Sequence, residues 1–433
     1  MTDGILLCIL IAASGGLMAW GLLKKDRFYQ YPFLAGGVFV GWLLPQALPL
    51  RNDMALPEGA YASTLLMGIL SVIALFLGAT QAKPMRSFSW QFDQKRLLMV
   101  AAVLSAFGGV FYIMIGRLPE EILLPEDGRW TGLPTLYIFF ANTLNYGFAI
   151  AVLIFVRTRS PVAFALCLWG LSFYAGLIIL GGRRSAIIEF AMIMLLTLWF
   201  IRRWTPPRWA IALGFAAGTL LVWSIGDYRE ITGGQYGTEN GRLPSWEELV
   251  QIDFAGNLDA VINNDGQPSE LLTAVYDIAA AQSTSTYNLG AGYWNFFVFR
   301  FVPAQILGED FKNGLMFTID DPVADIYSYT SPVGLTHTGL ADSFQAFWFF
   351  GALVFFFIGR IMGSVYAAAM RGSTVAQLSY ALIAAQAMQA ITHSTASFFT
   401  NWITLGLLLV LPISWARIHV AATVAGQTTF GHS

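Results

Sequence analysis

The stretch GILLCILIAASGGLMAWGLLKKDR (4–27) is an unbroken apolar run that leads directly into three basic residues, Lys24, Lys25 and Arg27. A helix needs about 20 mainly apolar residues to cross the hydrocarbon core of a bilayer, and residues 4–23 meet that length. No basic residue precedes the run, whereas a signal peptide carries its positive charge there. The stretch therefore predicts a transmembrane helix rather than a cleaved leader.

Runs of the same kind recur along the whole chain. Composition agrees with them, because 56% of the 433 residues are hydrophobic and only 12% are charged, about half the charged fraction of a soluble domain. The predicted fold class is an all-α polytopic membrane protein of about 11 transmembrane helices. The last two predicted helices are also compatible with one re-entrant hairpin. The predicted spans are 4–23, 32–50, 60–79, 97–115, 133–155, 161–180, 185–201, 209–225, 343–359, 375–392 and 397–416.

The distribution of basic residues gives the chain an orientation. Lys and Arg are enriched in cytoplasmic loops, and the alternate loops that begin after the first helix hold 15 of the 24 Lys and Arg residues. We therefore predict that the N-terminus is outside and the C-terminus is cytoplasmic. Three regions follow: a bundle of about eight helices (1–225), a large outer loop (226–341), and about three further helices with a cytoplasmic tail (342–433).

The outer loop is too long to be a plain connector, and it carries helix signals of its own. Ser245 followed by Glu248 is the pattern of a capping box, and a second helix is predicted to begin near Ser269. The stretch 287–307 is apolar and aromatic, which indicates a segment that lies on or dips into the membrane.

The rest of the sequence excludes several classes of protein. Cys8 and Cys167 both fall inside apolar runs, which favours small buried residues over a disulfide or a metal site. A net charge of −2 gives no general attraction to nucleic acid, so no nucleic-acid partner is predicted. The sequence has no Walker A motif, no GxGxxG and no HExxH, and we predict no cofactor.

Basic residues on the predicted outer side are the first candidate site, because they oppose the orientation rule. Arg183 and Arg184 follow two glycines in a tight turn that opens a helix. The arginine fork fits phosphate, and a helix N-terminus favours an anion. Arg300 lies in an aromatic run and could pair with a phosphorylated lipid, while Arg229 follows the eighth helix. The alternatives are snorkelling to lipid headgroups for Arg183, Arg184 and Arg300, and a plain ion pair for Arg229.

Three residues are candidates for proton transfer. Glu189 lies one turn inside the helix that Arg184 opens, where an acid is costly and therefore of functional interest; its alternative role is a local ion pair. His337 and Asp342 lie just before and at the start of the ninth predicted helix, and either could accept a proton from a hydroxyl. Their alternatives are a hydrogen-bonded loop residue for His337 and a helix N-cap for Asp342. His393 is a weaker candidate.

Three stretches of the chain resemble the O-antigen and exopolysaccharide repeat-unit polymerases (Wzy-type), a family related to the O-antigen ligases. They are GGRRSAIIEF (181–190), YNLGAGYWNFFVFRFVPAQILGEDFKNG (287–314) and GLTHTGLADSFQAFWFFGALVFFFIGRI (334–361). The overall plan of ten to twelve helices with a large late outer loop is also similar. The resemblance implies a GT-C-like membrane fold in a bacterial cytoplasmic membrane.

The resemblance also implies a chemistry. The donor would be a growing glycan on undecaprenyl pyrophosphate, and the acceptor would be one repeat unit on the same carrier. Arginines such as Arg183, Arg184, Arg229 and Arg300 would hold the pyrophosphate, and His337 or Asp342 would activate the acceptor hydroxyl. The transfer would need no metal, and a chain-length regulator and a flippase would be partners alongside membrane lipids.

Two other functions stay open at this point. An O-antigen-ligase-like transferase would use the same donor with a different acceptor, and the sequence barely separates it from a polymerase. A lipid or solute transporter would place polar residues at mid-membrane and show repeat symmetry. The predicted polar candidates gather at the outer surface instead, and no inverted repeat is visible, so the transporter is disfavoured.

Overall fold

A computed structural model describes residues 2–85, 90–119, 122, 132–233, 242–263, 269–320, 322–332 and 335–418. Within these ranges the chain folds into helices and turns, with one isolated β-bridge between Phe92 and Arg417. The predicted cytoplasmic tail beyond residue 418 lies outside the described residues, as do parts of the predicted loop (234–241 and 264–268). The helices are α1 Thr2–Leu23, α2 Tyr31–Leu50, α3 Ala60–Thr80, α4 Gln94–Ile115, α5 Leu133–Thr158, α6 Pro161–Leu180, α7 Arg184–Arg202, α8 Arg208–Trp223, α9 Ile225–Thr232, α10 Trp246–Val250, α11 Phe254–Asn263, α12 Glu270–Thr284, α13 Ala291–Phe301, α14 Ala304–Leu307, α15 Glu309–Gly314, α16 Val323–Tyr327, α17 Gly339–Met370, α18 Thr374–Thr392 and α19 Thr395–Ser414.

The prediction of a polytopic all-α membrane protein is confirmed at this level. Among the described residues, nine helices are long and apolar enough to cross a membrane, namely α1 to α7, α17 and α19. Helices α8 and α9 meet at an angle of 57° and make a tenth span if they are counted together. The predicted run 375–392 forms α18, which is not among these spans because Gln377, Gln386 and Gln389 lower its hydropathy.

Helix α18 is the centre of the bundle. Sixteen of its nineteen residues are buried, and it packs against α2, α5, α7, α17 and α19. Its polar side chains therefore face protein, as Gln377 shows by donating to the carbonyl of Ala369 at 3.1 Å. A helix surrounded by other helices does not need the apolar surface that lipid demands, so hydropathy alone understates its position.

Successive long helices run in opposite directions, which gives the bundle two distinct ends. We call the end that carries residues 181–184 and 393–394 the loop side, because the segment 226–338 extends from it. The other end, the far side, holds residues 24–30 and 203–207. Gly4 lies beside Arg51 at the loop side, whereas Ile418 donates to the carbonyl of Gln91 at the far side. The two ends of the described chain thus lie at opposite ends of the bundle. That the loop side faces outward stays a prediction from charge.

Helix α17 differs most from its predicted bounds of 343–359. It runs from Gly339 to Met370 with a short 3-10 turn at Trp348–Gly351. Its longer course places Arg360, which the charge count assigned to a loop, inside a helix. The helix packs closely on α3, because a Cβ added at Gly359 would lie 2.3 Å from the carbonyl oxygen of Leu75.

The segment 226–338 contains the two predicted helix starts. Ser245 and Glu248 form the capping box: the Ser245 hydroxyl accepts from the Glu248 amide, and the Glu248 carboxylate accepts from the Ser245 amide. Arg242 pairs with the same carboxylate and, with those hydrogen bonds, lowers the pKa of Glu248 to about 2. Ser269 caps α12, which packs against α2, α3 and α17. Part of the predicted loop is therefore integral to the bundle.

Candidate functional site

The arginine turn, residues 181–184, is formed where α6 meets α7. Gly182 has a φ of +52°, and a Cβ added there would lie 3.0 Å from Cγ of Arg229. Glycine is thus required both by the backbone conformation and by the approach of α9. The Arg229 Nε donates to the carbonyl of Gly182 at 3.2 Å. The structure therefore brings Arg183, Arg184 and Arg229 together at the start of α7.

Arg184 is the most enclosed cation of this turn. Its guanidinium lies 5.0 Å from the ring centroid of Trp42, and its buried Nε has no hydrogen-bond partner among the described residues. The positive charge of Arg229 repels the Arg184 guanidinium, and the negative charge of Glu270 attracts it. A buried unsatisfied donor costs about 1–3 kcal/mol, so an anion bound to this guanidinium would offset an energetic cost.

Two titratable groups surround Arg184 from other elements. Glu270, at the start of α12, accepts from Nε2 of Gln46 at 3.1 Å, and burial raises the pKa of its carboxyl. His393 lies in the turn between α18 and α19, where burial and the charge of Arg184 lower the pKa of its imidazole. Segments from α2, α7, α12 and the α18–α19 turn thus converge on one guanidinium.

His337 forms a dyad with a residue that the sequence analysis did not identify. Its Nδ1 lies 2.7 Å from the Asp277 carboxylate. The Asp277 side chain is 2% exposed, whereas that of His337 is 48% exposed. A carboxylate that accepts from Nδ1–H places the basic lone pair of the neutral imidazole on Nε2. This orientation of imidazole by a buried acid is the arrangement of a general base.

The dyad and the arginine turn lie on neighbouring surfaces. The Thr336 hydroxyl donates to the carbonyl of Thr392 at 3.2 Å, which puts the loop of His337 against His393. Asp277 follows Glu270 by two turns on the same face of α12. Its only sequence signal was a second acid at this spacing in an otherwise apolar helix.

Asp342 occupies a different setting from the one predicted. It does not cap its own helix, because the hydroxyl of Thr338 accepts from the amide of Ala341 there. Its carboxylate accepts instead from the Ser394 hydroxyl at 2.6 Å, and from the amide and hydroxyl of Thr395 at 2.8 and 2.7 Å. These bonds tie α17 to the start of α19, and a base role for Asp342 stays a prediction.

Glu189 and Arg300 lie together in a cavity of about 230 Å³ inside the bundle. The Glu189 carboxylate accepts from Asn145 at 3.2 Å and from Gln386 at 2.6 Å. Gln386 in turn accepts from Asn401 at 2.8 Å, and Asn401 accepts from Arg300 at 3.5 Å. We call the set Arg300, Asn401, Gln386 and Glu189 the polar relay. Its hydrogen bonds all point from the cation towards the anion.

The structure thus places Arg300 in the cavity that also holds Glu189. Glu189 follows Arg184 by five residues along α7, a rise of about 7.5 Å. Its carboxyl group also interacts electrostatically with the guanidinium of Arg183. The Nε of Arg300 is buried and has no hydrogen-bond partner among the described residues, and burial lowers the pKa of its guanidinium. The cavity therefore adjoins the turn and holds an unsatisfied donor of its own.

The described residues contain no group of three or more His, Cys, Asp or Glu side chains placed to hold a metal ion. Cys8 and Cys167 are both free thiols. The chain matches no protein-family model, no curated protein and no solved structure. Any functional conclusion therefore depends on the geometry of the turn, the dyad and the cavity.

Proposed function

We propose that this protein is a membrane glycosyltransferase that joins lipid-linked oligosaccharide repeat units. The observation that carries the proposal is that the arginine turn and the His337–Asp277 dyad both lie at the loop side, next to the α18–α19 turn that holds His393. A transferase that uses a pyrophosphate-linked donor needs cations for the leaving group and a base for the acceptor. Both are present at the mouth of one helical bundle.

The proposed step is a displacement at the anomeric carbon of the donor glycan. The acceptor hydroxyl forms the new C–O bond, its proton passes to Nε2 of His337, and the bond between sugar and pyrophosphate breaks. Arg183, Arg184 and Arg229 stabilise the negative charge that stays on the lipid pyrophosphate, the kind of electrostatic support that is worth about 10²–10³ in rate per donor. Asp277 holds the imidazole in the orientation that accepts the proton.

The amide-rich cavity fits the same function. Its lining includes Asn142, Asn145, Gln386 and Asn401 together with the hydroxyl of Tyr146. Amides and hydroxyls both donate and accept, which suits the hydroxyls of a sugar. The unsatisfied Nε of Arg300 adds one more donor. We propose that the cavity receives part of the glycan next to its pyrophosphate.

The experiment is reconstitution of the purified protein in vesicles with one undecaprenyl-pyrophosphate-linked repeat unit. Polymerisation yields a ladder of products that differ by one unit, visible after electrophoresis or mass spectrometry. A single product on an added acceptor such as lipid A core, with no ladder, would support a ligase-like transferase instead. Absence of any sugar transfer with the correct donor would remove the enzyme proposal.

A transporter is the second candidate, and one observation favours it. The polar relay places a carboxylate and a guanidinium inside the bundle, as a solute or lipid pathway would need. The relay lies towards the loop side, however, since Gln386 and Asn401 are each six residues from the turn that joins α18 to α19. Movement of the lipid-linked unit between vesicle leaflets, without chain extension, would favour this candidate.

A further inference from the structure

Residues 291–317 fold into a closed hairpin, which we call the aromatic hairpin. Helix α13 leads into a reversal at 303–308, and α15 returns along it. The indole of Trp294 donates to the carbonyl of Leu315 at 2.8 Å. Asn295 makes two bonds to the backbone of Phe317, at 2.7 and 2.8 Å. These three bonds join the two arms independently of the bundle.

The inner face of the hairpin is fixed to the bundle. Its start is held by backbone bonds from Asn288 and Leu289 to α17, and the hydroxyl of Tyr293 lies 2.5 Å from that of Thr395. Near the end of α13, Arg300 donates to the side chain of Asn401. Asn401 lies six residues after the start of α19, which corresponds to a rise of about 9 Å along that helix. The hairpin therefore lies alongside α19, a candidate span, rather than above its end.

The outer face carries large apolar side chains that remain exposed in the described part of the chain. Ile306 is 77% exposed and Phe317 is 59% exposed. Each such side chain costs about 1.5–3 kcal/mol to leave in water, and contiguous apolar surface of this kind marks an interaction site. The exposed apolar residues of the hairpin are Trp294, Phe299, Ile306, Leu307, Phe311, Leu315 and Phe317.

The charged residues of the hairpin limit how deeply its outer face can enter a membrane. Lys312 lies 4.5 Å from the ring centroid of Phe299 and donates to its carbonyl, a cation held beside an aromatic ring as at a membrane interface. Glu309 and Asp310 are exposed near the tip, and carboxylates are costly in the hydrocarbon core. The hairpin thus fits the headgroup layer and the adjoining acyl chains.

We infer that the aromatic hairpin is an interfacial membrane element whose outer face, including Ile306, Leu307 and Phe311, is covered by lipid. Lipid is favoured over a soluble partner as the cover of this face, because the inner face of the hairpin packs on α19. The bilayer that surrounds α19 must therefore also meet the hairpin. The inference does not depend on the proposed enzyme activity. It applies equally to a transporter.

The test is spin labelling of the full-length protein in vesicles of phosphatidylcholine and phosphatidylglycerol. Cys8 and Cys167 are first changed to Ser, and single cysteines are introduced by Ile306→Cys and Phe317→Cys. Collision of the attached nitroxide with oxygen, which concentrates in the acyl layer, is compared with collision with a water-soluble nickel chelate. Val103→Cys, on the exposed face of α4, is the lipid control, and Thr286→Cys, an exposed position before α13, is the water control.

We expect the oxygen-to-nickel ratio at 306 and 317 to resemble that at 103 and to exceed that at 286 several-fold. A ratio like that at 286 would overturn the inference. So would protection from both reagents, which would mean that protein covers the face. If reconstitution fails, labelling in native membranes with a charged maleimide distinguishes the same outcomes. The cysteine at position 286 should react at once, and the cysteine at position 306 should react only after detergent is added.

Discussion

Helix α7 begins and ends with a pair of adjacent arginines, and the two pairs are held very differently. At the far side, Arg202 donates to the carbonyl of Val156 at 2.7 Å, and Arg203 donates to the carbonyl of Met370 at 3.2 Å. At the loop side, Arg184 has a buried Nε with no partner among the described residues. The far-side pair donates to backbone carbonyls of neighbouring helices, whereas the loop-side pair includes a buried donor, Nε of Arg184, without a hydrogen-bond partner.

The helix dipole sharpens this difference. Cations are favoured at a helix C-terminus and disfavoured at its N-terminus by about 0.3–1 kcal/mol each. Arg202 and Arg203 lie at the favourable end, and Arg183 and Arg184 lie at the unfavourable one. Arg229 adds a third positive charge next to the loop-side pair. The fold explains the far pair, whereas the loop-side pair makes energetic sense with a bound anion, in agreement with the proposed pyrophosphate site.

The largest expected effect is the loss of activity in the double variant Arg183→Ala/Arg184→Ala. Two donors to the leaving group are removed, so we expect chain extension to fall by at least about 10³-fold. The melting temperature should change little, because the change also removes a buried unsatisfied donor. Product ladders and thermal melts of the purified protein measure the two effects.

The matched control for this variant is the pair at the other end of the same helix. Arg202→Ala/Arg203→Ala removes the same charge and should leave the rate of extension within about twofold of the unchanged protein. Equal losses of activity in the two double variants would mean that total charge, rather than the loop-side site, matters. A single Arg184→Lys variant should stay impaired, since an ammonium group lacks the planar fork of guanidinium.

The next effect in size concerns the dyad beside the arginine turn. His337→Gln should lower turnover by about 10²-fold, the lower end of what a general base contributes, with little change in KM for the donor. Asp277→Asn should reproduce most of this loss, because an amide can donate to Nδ1 and reverse the tautomer. The rates of the purified variants test both expectations.

Combining the two changes separates a dyad from two independent residues. If Asp277 acts only through His337, the double variant should be no slower than His337→Gln alone, since residues that act as a unit are not additive. Multiplied losses would contradict the dyad. Asp342→Asn gives a useful contrast: its carboxylate holds the start of α19, so we expect it to lower the melting temperature.

Periodicity and hydropathy predicted much of this architecture from sequence. The capping box at Ser245 and the helix that starts after Ser269 depend on local patterns, and both are confirmed. Of the eleven predicted spans, nine or ten are long and apolar enough to cross a membrane among the described residues. Helix α18 was predicted as a span by its length, but its glutamines bond to other helices. Hydropathy counts a buried polar side chain as if it met solvent, so the central position of this helix was not predictable.

The candidate site was predicted only in part, for a physical reason. The glycines and arginines of residues 181–184 stand out locally, since they break the charge pattern. Asp277 lies 60 residues from its partner His337, and Gln386 lies 197 from Glu189. Which faces of distant helices meet depends on packing that one sequence does not display. The contact of Asp342 with Thr395 was likewise not predictable, since the two residues lie 53 positions apart.

A smaller effect is expected from the polar relay, which differs from the arginine turn in having most of its bonds made. Gln386→Leu would leave one Glu189 oxygen and the amide of Asn401 without their partner, at a cost of about 1–3 kcal/mol for each buried group. Thermal melts should show this destabilisation. Gln389→Leu is the control, one turn further along α18, because no hydrogen bond of the Gln389 side chain occurs in the described part of the chain. Equal shifts in the two variants would mean that the relay contributes nothing specific.

The smallest effect is expected in the stability of Arg202→Ala/Arg203→Ala. Both side chains are exposed, so their bonds to the carbonyls of Val156 and Met370 compete with water. Those bonds, together with the charge at the helix C-terminus, should contribute about 1 kcal/mol in total. The melting temperature of this variant should therefore fall slightly below that of Arg183→Ala/Arg184→Ala, which is the reverse of their order in activity. If the loop-side pair proved the more stabilising of the two in the absence of ligand, Arg184 would be a structural cation, and the contrast between the two ends of α7 would no longer support a pyrophosphate site.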